Sequence, residues 1–151
     1  TVSPDGQYVA IPHWGNNTVA LIDIKSSNPN DWYHKEMYII DSILPLNYSL
    51  TSSIDRDNSS GYCLRGTVFT PDNKYLLVGC MGNSGGIAVI DMVAGKYLGR
   101  VLGMMSNLRH IVLKGGYLYL SINAGGCVQK CKLSGLLAKA KGNKTRFCSR
   151  W

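Results

Sequence analysis

The side chains best suited to hold an anion are two arginines in matched positions of the sequence. Arg65 and Arg109 each follow a leucine and open a run of β-forming residues, Leu64 to Phe69 and Leu108 to Leu113. A guanidinium group binds a carboxylate or a phosphate through paired N–H donors. An arginine that recurs in a repeated sequence can instead serve the repeat, by capping its end or by donating to a backbone carbonyl. The sequence leaves both roles open.

A second group of side chains could contact a ligand or take part in a reaction. His110 stands beside Arg109 and could act as the general base of a hydrolase, although a single histidine is more often structural. His13 and Trp14 could form the wall of a site for a sugar or an aromatic ligand, or a packing anchor. The predicted ligand-binding residues are Arg65, Arg109, His110, His13, Trp14, Asn83 and Asn123, and the candidates for catalysis are His110 and Arg109.

No established catalytic or metal-binding motif accompanies these residues. The sequence has no G-x-S-x-G, no P-loop and no zinc spacing among its cysteines and histidines. Cys127 and Cys131, four residues apart on a predicted strand, are too distant to bond each other. Asp23 and Asp91 recur at strand ends, which is typical of turn hydrogen bonding. We therefore predict no metal and no cofactor, and the sequence favours a binding role while leaving catalysis open.

These residues lie in and around a unit that occurs three times in the sequence. Residues 3–24, 70–92 and 113–133 each contain a turn, a tyrosine followed by apolar residues, a second turn and a second apolar run. The second and third copies lie 42 residues apart, from Tyr75 to Tyr117. This spacing matches the roughly 40–45 residues of a four-stranded propeller blade. A single antiparallel sandwich is the alternative, but it does not account for the threefold alignment of turn and tyrosine.

The spacing also predicts where the strands and insertions fall. The first copy is longer because of two polar stretches, 26–34 and 47–61, which indicate long loops. A closing strand is predicted over 36–44 in the first copy and over 96–102 in the second. We therefore predict an all-β fold, a partial β-propeller of about three four-stranded antiparallel blades. The predicted divisions are a blade with an incomplete first strand and an insertion over 1–46, an inserted loop over 47–63, a blade over 64–104, and a blade with a basic tail over 105–151.

The repeats resemble a known sequence family. SPDGQYVAI…NNTVALIDI and TPDNKYLLVGC…GGIAVIDMVAGKYLGRV are similar to the YVTN-type repeat of YncE-like β-propellers. LRHIVLKGGYLYLSINAGGCVQKCKL is similar in the same way, with Lys114-Gly115-Gly116 in place of Pro-Asp-Gly, and the resemblance ends at about Leu136. It implies an exported protein, periplasmic, cell-surface or secreted, with a binding or scaffolding role and an unidentified ligand. Lactonase-like hydrolases and quinoprotein-dehydrogenase-like propellers are the alternatives that the wider group implies.

Charge and blade number suggest the partners. The net charge is +7, and much of it lies near the end of the sequence. A basic patch near the end of the sequence could bind nucleic acid, although a solvated basic face is the simpler interpretation. No run of about 18 apolar residues is present, so no membrane span is predicted. The sequence starts without Met and three blades do not close a ring, so we expect a cut from a longer polypeptide. Its expected partners are the remaining blades or a second copy, with a ligand at the channel mouth.

Overall fold

The computed structural model describes residues 1–40, 60–82 and 85–140, and the backbone of residues 145–146. In this part of the chain, eleven strands form three sheets. The first sheet contains β1 (Tyr8–Pro12), β2 (Thr18–Asp23) and β3 (Tyr33–Tyr38). The second contains β4 (Leu64–Phe69), β5 (Tyr75–Cys80), β6 (Ile87–Asp91), β7 (Lys96–Leu102) and the short β11 (Thr145–Arg146). The third contains β8 (Leu108–Lys114), β9 (Tyr117–Ile122) and β10 (Cys127–Lys132), followed by helix α1 (Leu133–Lys139).

Within each sheet, strands that are consecutive in the sequence lie side by side and pair antiparallel. The exception is β11, which pairs parallel to the outer strand β7. The first sheet lacks a full inner strand, and the isolated bridge between Val2 and Val9 stands in its place. This bridge is the counterpart of the Phe69–Leu76 pair that joins β4 to β5. The first and second sheets therefore repeat one arrangement, with the inner strand shortened in the first.

The middle sheet is buried on both faces, which holds the three sheets in a stack. Successive side chains of a strand point to opposite faces. In β5, Leu76 and Val78 join the apolar cluster shared with the first sheet, whereas Leu77 joins the cluster shared with the third. All three side chains are fully buried. The hydrophobic effect therefore acts across two sheet-to-sheet seams, as it does between the blades of a propeller.

The first turns of the first two repeats are held by the same hydrogen bonds. Ser3 Oγ donates to Asp5 Oδ1 at 2.5 Å, and Thr70 Oγ1 donates to Asp72 Oδ1 at 2.6 Å. Each carboxylate also accepts from the backbone N–H two residues further on. The hydroxyl hydrogen bond first, and the backbone one second, lower the pKa of both aspartates below the ordinary 3.8 because they favour the charged form. The predicted turns are therefore present in matched form.

The closing strand of the first sheet differs from the prediction. We expected a strand over 36–44 after a loop over 26–34, but β3 begins at Tyr33, opposite Asp23. The loop ends at Trp32, whose Nε1 donates to the carbonyl of Ser26 at 2.9 Å. The loop is thus closed by a hydrogen bond between its two ends, and the strand begins at the next residue. Residues 41–44 lie outside the described part of the chain.

The third sheet differs from a four-stranded blade. It has three strands in the described residues, and β10 leads directly into α1. The sequence pattern accounts for the helix, since Leu133, Leu136 and Leu137 have the i, i+3, i+4 spacing of one helical face. Leu136 is fully buried in the apolar cluster of the third sheet, with the other two leucines packed against it. The resemblance that ends at about Leu136 therefore stops inside a helix that completes the core.

The predicted fold class is confirmed: the described part of the chain is a β-propeller segment of three stacked antiparallel sheets. The turn role of two aspartates is confirmed too, because Asp23 accepts from the Lys25 N–H and Asp91 accepts from the N–H groups of Val93 and Ala94. The domain boundaries stay predictions. Most of the inserted loop and most of the basic tail, at 41–59 and 141–151, lie outside the described residues apart from the backbone of β11.

Candidate functional site

The two matched arginines lie at the same irregularity of two adjacent inner strands. The pairing of β4 with β5 shifts between Leu64 and Thr67, and that of β8 with β9 shifts between Leu108 and His110. Each shift inserts one extra residue, so each is a β-bulge at or beside an arginine. A bulge turns a side chain away from the regular alternation and often lies next to a functional site. The repeat alignment matches these arginines, but the equivalent bulges beside them are seen only in the strand register.

Arg109 lines a groove at one end of the third sheet. The groove has a volume of about 430 Å³, which is within the range of small-ligand sites. The Nε atom of Arg109 is buried and has no hydrogen-bond partner. A buried charged donor without a partner is costly, and the groove offers space for an acceptor. The walls are formed by Arg109, His110, Ser121, Ile122, Asn123, Gly126, Cys127 and Val128.

The groove owes its shape to the β9–β10 hairpin and to the bulge in β8. Gly126 takes a φ of +56° at the hairpin, a conformation that side chains disfavour. The Asn123 N–H donates to the carbonyl of Asn107 at 3.0 Å, which ties the hairpin to the start of β8. The His110 N–H donates to Ser121 Oγ at 3.1 Å across the bulge. Hydrogen bonds donated by these two backbone N–H groups therefore hold the walls on both sides of Arg109.

Arg65 makes a different contact. Its guanidinium lies over the ring of Trp14, 5.5 Å from the centroid, in a cation–π arrangement. Trp14 is half exposed, so the pair spans the rim between the first and second sheets without burying the cation. The structure therefore separates two residues that the sequence matched, because Arg65 is engaged with a neighbouring blade while Arg109 faces open space.

His13 does not line the groove either; it follows β1 in the first sheet. Its Nδ1 lies 2.8 Å from Thr18 Oγ1 and 3.7 Å from Glu36 Oε2. Glu36 Oε1 lies 2.9 Å from His34 Nε2, so one carboxylate stands between two imidazoles. No group of three metal-ligating side chains with suitable placement occurs among the described residues. This cluster could not be predicted from the sequence, because its members come from the turn after β1, from β2 and from β3.

Of the seven predicted ligand-binding residues, the structure brings together Arg109, His110 and Asn123. His13, Trp14 and Arg65 belong to the rim of the first two sheets, and Asn83 lies outside the described residues. Sequence reasoning missed Ser121 and Gly126, which line the groove. Ser121 sits in an apolar strand and its role depends on facing His110, a relationship that only the register reveals.

The cysteines fit the sequence analysis. Cys127 is a free thiol and Cys131 is disulfide-bonded, so these two do not bond each other. Cys63 and Cys80 are not disulfide-bonded either. Cys127 Sγ lies 3.7 Å from Met105 Sδ at the edge of the groove.

In the described residues, none of the helices has the length and apolar character that crossing a membrane requires.

The stacked sheets and the inner-strand bulges place the chain in the class of β-propellers. No protein family and no curated protein matches the sequence. Solved structures do match the fold. One is the hydrazine synthase of Kuenenia stuttgartiensis, with a TM-score of 0.64, 18% identity and 89% of this chain covered.

Two further structures show the same likeness. A Bacteroides uniformis protein described as a putative 6-phosphogluconolactonase has a TM-score of 0.63 at 15% identity over 87% of this chain. The β-propeller domain of Myceliophteria thermophila Cps50 (Swd1) has a TM-score of 0.59 at 12% identity over 84% of it. The chain spans about a third of each of the three structures, 33%, 34% and 35% of their lengths. Identities this low establish the shared fold, while function is determined by the site.

Proposed function

We propose that this chain is the ligand-binding segment of a β-propeller and that it binds a small ligand bearing a carboxylate or phosphate in the groove of the third sheet. The observation that carries the proposal is that Arg109 lines the groove with a guanidinium whose buried Nε has no hydrogen-bond partner. A bound anion would supply the missing acceptor, and hydrogen bonds between charged groups are about twice as strong as neutral ones.

The other groove residues suit the remainder of such a ligand. Ser121 and Asn123 offer a hydroxyl and an amide, which can donate to or accept from ligand hydroxyl groups. Ile122 and Val128 give the groove an apolar part. A few polar groups converging on a partly apolar concave surface are typical of small-molecule sites. The groove therefore supports a compact ligand with one anionic group.

The experiment is an NMR titration of the chain with inorganic phosphate and, separately, with sodium gluconate. Shifts concentrated at the amides of Ser121, Asn123 and Gly126 support the proposal. Shifts spread evenly over exposed lysines, for example at Lys74, would show non-specific anion association and would contradict it. Gluconate carries both a carboxylate and hydroxyl groups, so comparison with phosphate separates the anion from the rest of the ligand.

The second candidate is a lactonase-like hydrolase, favoured by the position of His110 on the wall of the same groove. Its imidazole would take a proton from water while the hydroxyl oxygen bonds to the lactone carbonyl carbon. The ring C–O bond then breaks, and the leaving oxygen takes a proton to give the open hydroxy acid. Arg109 would stabilise the negative carbonyl oxygen. Acid release from gluconolactone, followed at constant pH, must fall to the buffer rate in His110→Ala if this activity exists.

The remaining predictions belong to this proposal because only the sequence supports them. These are the YVTN/YncE-like relationship, the extracytoplasmic location, the scaffolding role and the partnership with further blades. The open outer faces of the first and third sheets agree with a neighbour on each side, since both expose large apolar side chains such as Ile11 and Val112. Reading the genomic sequence on both sides of the chain would reveal further repeats or a leader peptide.

A further inference from the structure

A cleft separate from the anion groove lies between the first and second sheets. Its volume is about 200 Å³, slightly more than the roughly 150 Å³ of an engineered protein cavity that binds benzene. Leu21 and Met37 of the first sheet and Met92, which follows β6 of the second, line its interior. Because the chain itself supplies the sheets on both sides of the cleft, its walls do not depend on any further blade.

The corresponding place in the next seam holds leucines of α1. Asp91 and Lys132 have equivalent positions in the repeat, since each pairs with the tyrosine that opens the preceding strand. Met92 of the cleft therefore corresponds to Leu133, with which α1 begins. Leu133 and two further leucines of α1 belong to the apolar cluster of the second and third sheets. After Met92 the chain instead turns into β7, so the first seam has a cleft where the second seam has leucine side chains.

The interior of the cleft suits an aromatic ring. Leu21 and Met37 are buried in the apolar cluster of this seam, with Tyr8 and Met92 packed against it. Thioether sulfur atoms make favourable contacts with aromatic rings, and flexible methionine side chains adapt to the shape of a bound group. Tyr33 also lines the cleft and is 67% exposed, so it lies at the mouth. A flat apolar group in the cleft would therefore contact sulfur atoms and tyrosine side chains together.

The charged groups of the cleft leave one cation without a counter-charge. The Asp23 carboxylate lies 3.0 Å from Lys25 Nζ, which also donates to the Tyr8 hydroxyl at 2.6 Å. Lys35 Nζ donates to the carbonyl of Gly95 at 3.0 Å and forms no ion pair within the described part of the chain. An ammonium group has three N–H donors, so Lys35 can still donate to an anion. The cleft therefore combines an apolar interior with a positive charge on its wall.

We propose that this cleft is a second ligand site, which binds a small aromatic carboxylate of about the size of benzoate, with its ring against Met37 and Met92 and its carboxylate on Lys35. The carboxylate would accept the free donors of Lys35, and hydrogen bonds between charged groups are about twice as strong as neutral ones. The site is independent of the anion groove, because the groove lies at the Cys127 end of its hairpin and the cleft lies at the opposite end of the repeat, beside Asp23.

The test is an NMR titration of the full chain, isotope-labelled at its methionine methyl groups, with sodium benzoate. The chain has five methionines, and two of them line the cleft. Ring-current shifts should be concentrated at the methyl signals of Met37 and Met92 and absent at those of Met81 and Met104. Met105 lies at the edge of the anion groove, so its signal reports binding at that site separately.

Two further ligands and two variants separate the ring from the charge. Benzyl alcohol keeps the ring without the charge and should bind about tenfold more weakly than benzoate. Acetate keeps the charge without the ring and should leave the signals of Met37 and Met92 in place. Lys35→Met removes the ammonium and keeps an unbranched side chain, so it should lower the affinity for benzoate about tenfold and leave that for benzyl alcohol unchanged. Lys74→Met, the same change at an exposed lysine outside the cleft, should bind benzoate like wild type.

Circular dichroism must show that Lys35→Met folds, and if it does not, benzoate and benzyl alcohol compared on wild type test the same claim. Unchanged signals of Met37 and Met92 up to roughly 20 mM benzoate, a concentration that allows for the few contacts of a small ligand, would overturn the proposal. Equal affinity for benzoate and benzyl alcohol, or equal benzoate affinity of Lys35→Met and wild type, would overturn it too. A shift of Met105 alone would place benzoate in the anion groove and not in the cleft, and equal shifts of every methionine signal would show non-specific association; either result contradicts the proposal.

Discussion

The carbonyl oxygen of Arg109 lies 2.9 Å from the position that a Cβ atom would occupy on Gly66. These two residues belong to neighbouring inner strands, β4 and β8, which approach closely because glycine has no side chain. The same close approach sets the distance between the two bulges. The close contact between Gly66 and Arg109 therefore links the packing of the second sheet against the third to the position of Arg109 in the candidate site.

The first prediction follows from this approach. Gly66→Ala should destabilise the chain by about 1–3 kcal/mol, because the added methyl group overlaps backbone that cannot move without separating the sheets. Urea denaturation followed by circular dichroism measures the effect. Gly15→Ala is the matched control, since nothing lies within 4 Å of a Cβ at that position. Equal stability of the two variants would show that the inner strands are farther apart than described.

The second prediction concerns α1. Leu136→Ala should cost about 2–5 kcal/mol, because Leu136 is fully buried and its removal leaves a cavity in the cluster of the third sheet. Leu137→Ala, one residue along and only partly buried, should cost clearly less. The same urea experiment distinguishes them. A neutral Leu136→Ala would mean that the helix is not part of the core.

The third prediction is a pH dependence. The pKa of Asp72 is lowered, by the Thr70 hydroxyl first and by the Lys74 N–H second, so the carboxylate stabilises the fold above its unfolded pKa. That contribution is lost as the pH falls through 3.8 toward the lower folded value. Asp72→Asn should therefore lower the Tm at pH 7 by roughly 2 °C and by progressively less below pH 4.

Thermal melts between pH 7 and pH 3 measure this difference. Thr70→Val, which removes the hydroxyl and keeps the volume, should reproduce part of the effect at pH 7. Asp5 makes the matching hydrogen bonds in the first repeat, so Asp5→Asn should behave in the same way. A Tm difference between wild type and Asp72→Asn that stays constant down to pH 3 would contradict the assignment.

Much of the fold could be predicted from the sequence because the turns and strands of each repeat are specified by short local sequence signals. A Pro-Asp turn, a tyrosine and an apolar run specify β4 to β7 almost to the residue, since each signal acts within a few positions. β3 was misplaced because Tyr33 to Lys35 form an exposed outer edge with polar composition. The helix α1 was not predicted although its leucines have the spacing of one helical face, because their burial in the core of the third sheet is a non-local contact.

The candidate site was predicted only in part, for a related reason. Sequence spacing matched Arg65 with Arg109, and the bulges bear out that equivalence. Their different surroundings depend on neighbours: Arg65 has Trp14 of the preceding sheet beside it, whereas Arg109 borders open space. An alignment of the repeat sequences shows which residues two repeats share, but it does not show which residues of neighbouring sheets surround each of them.

The anion groove is tested most directly by titration calorimetry of inorganic phosphate into wild type, Arg109→Gln and Arg65→Gln. Glutamine keeps much of the side-chain length and removes the charge, so folding should be retained. We predict that Arg109→Gln loses at least about tenfold in affinity, as expected for a charge-assisted hydrogen bond, and that Arg65→Gln binds like wild type. Equal affinity of Arg109→Gln and wild type, or an equal loss in both variants, would contradict the central claim.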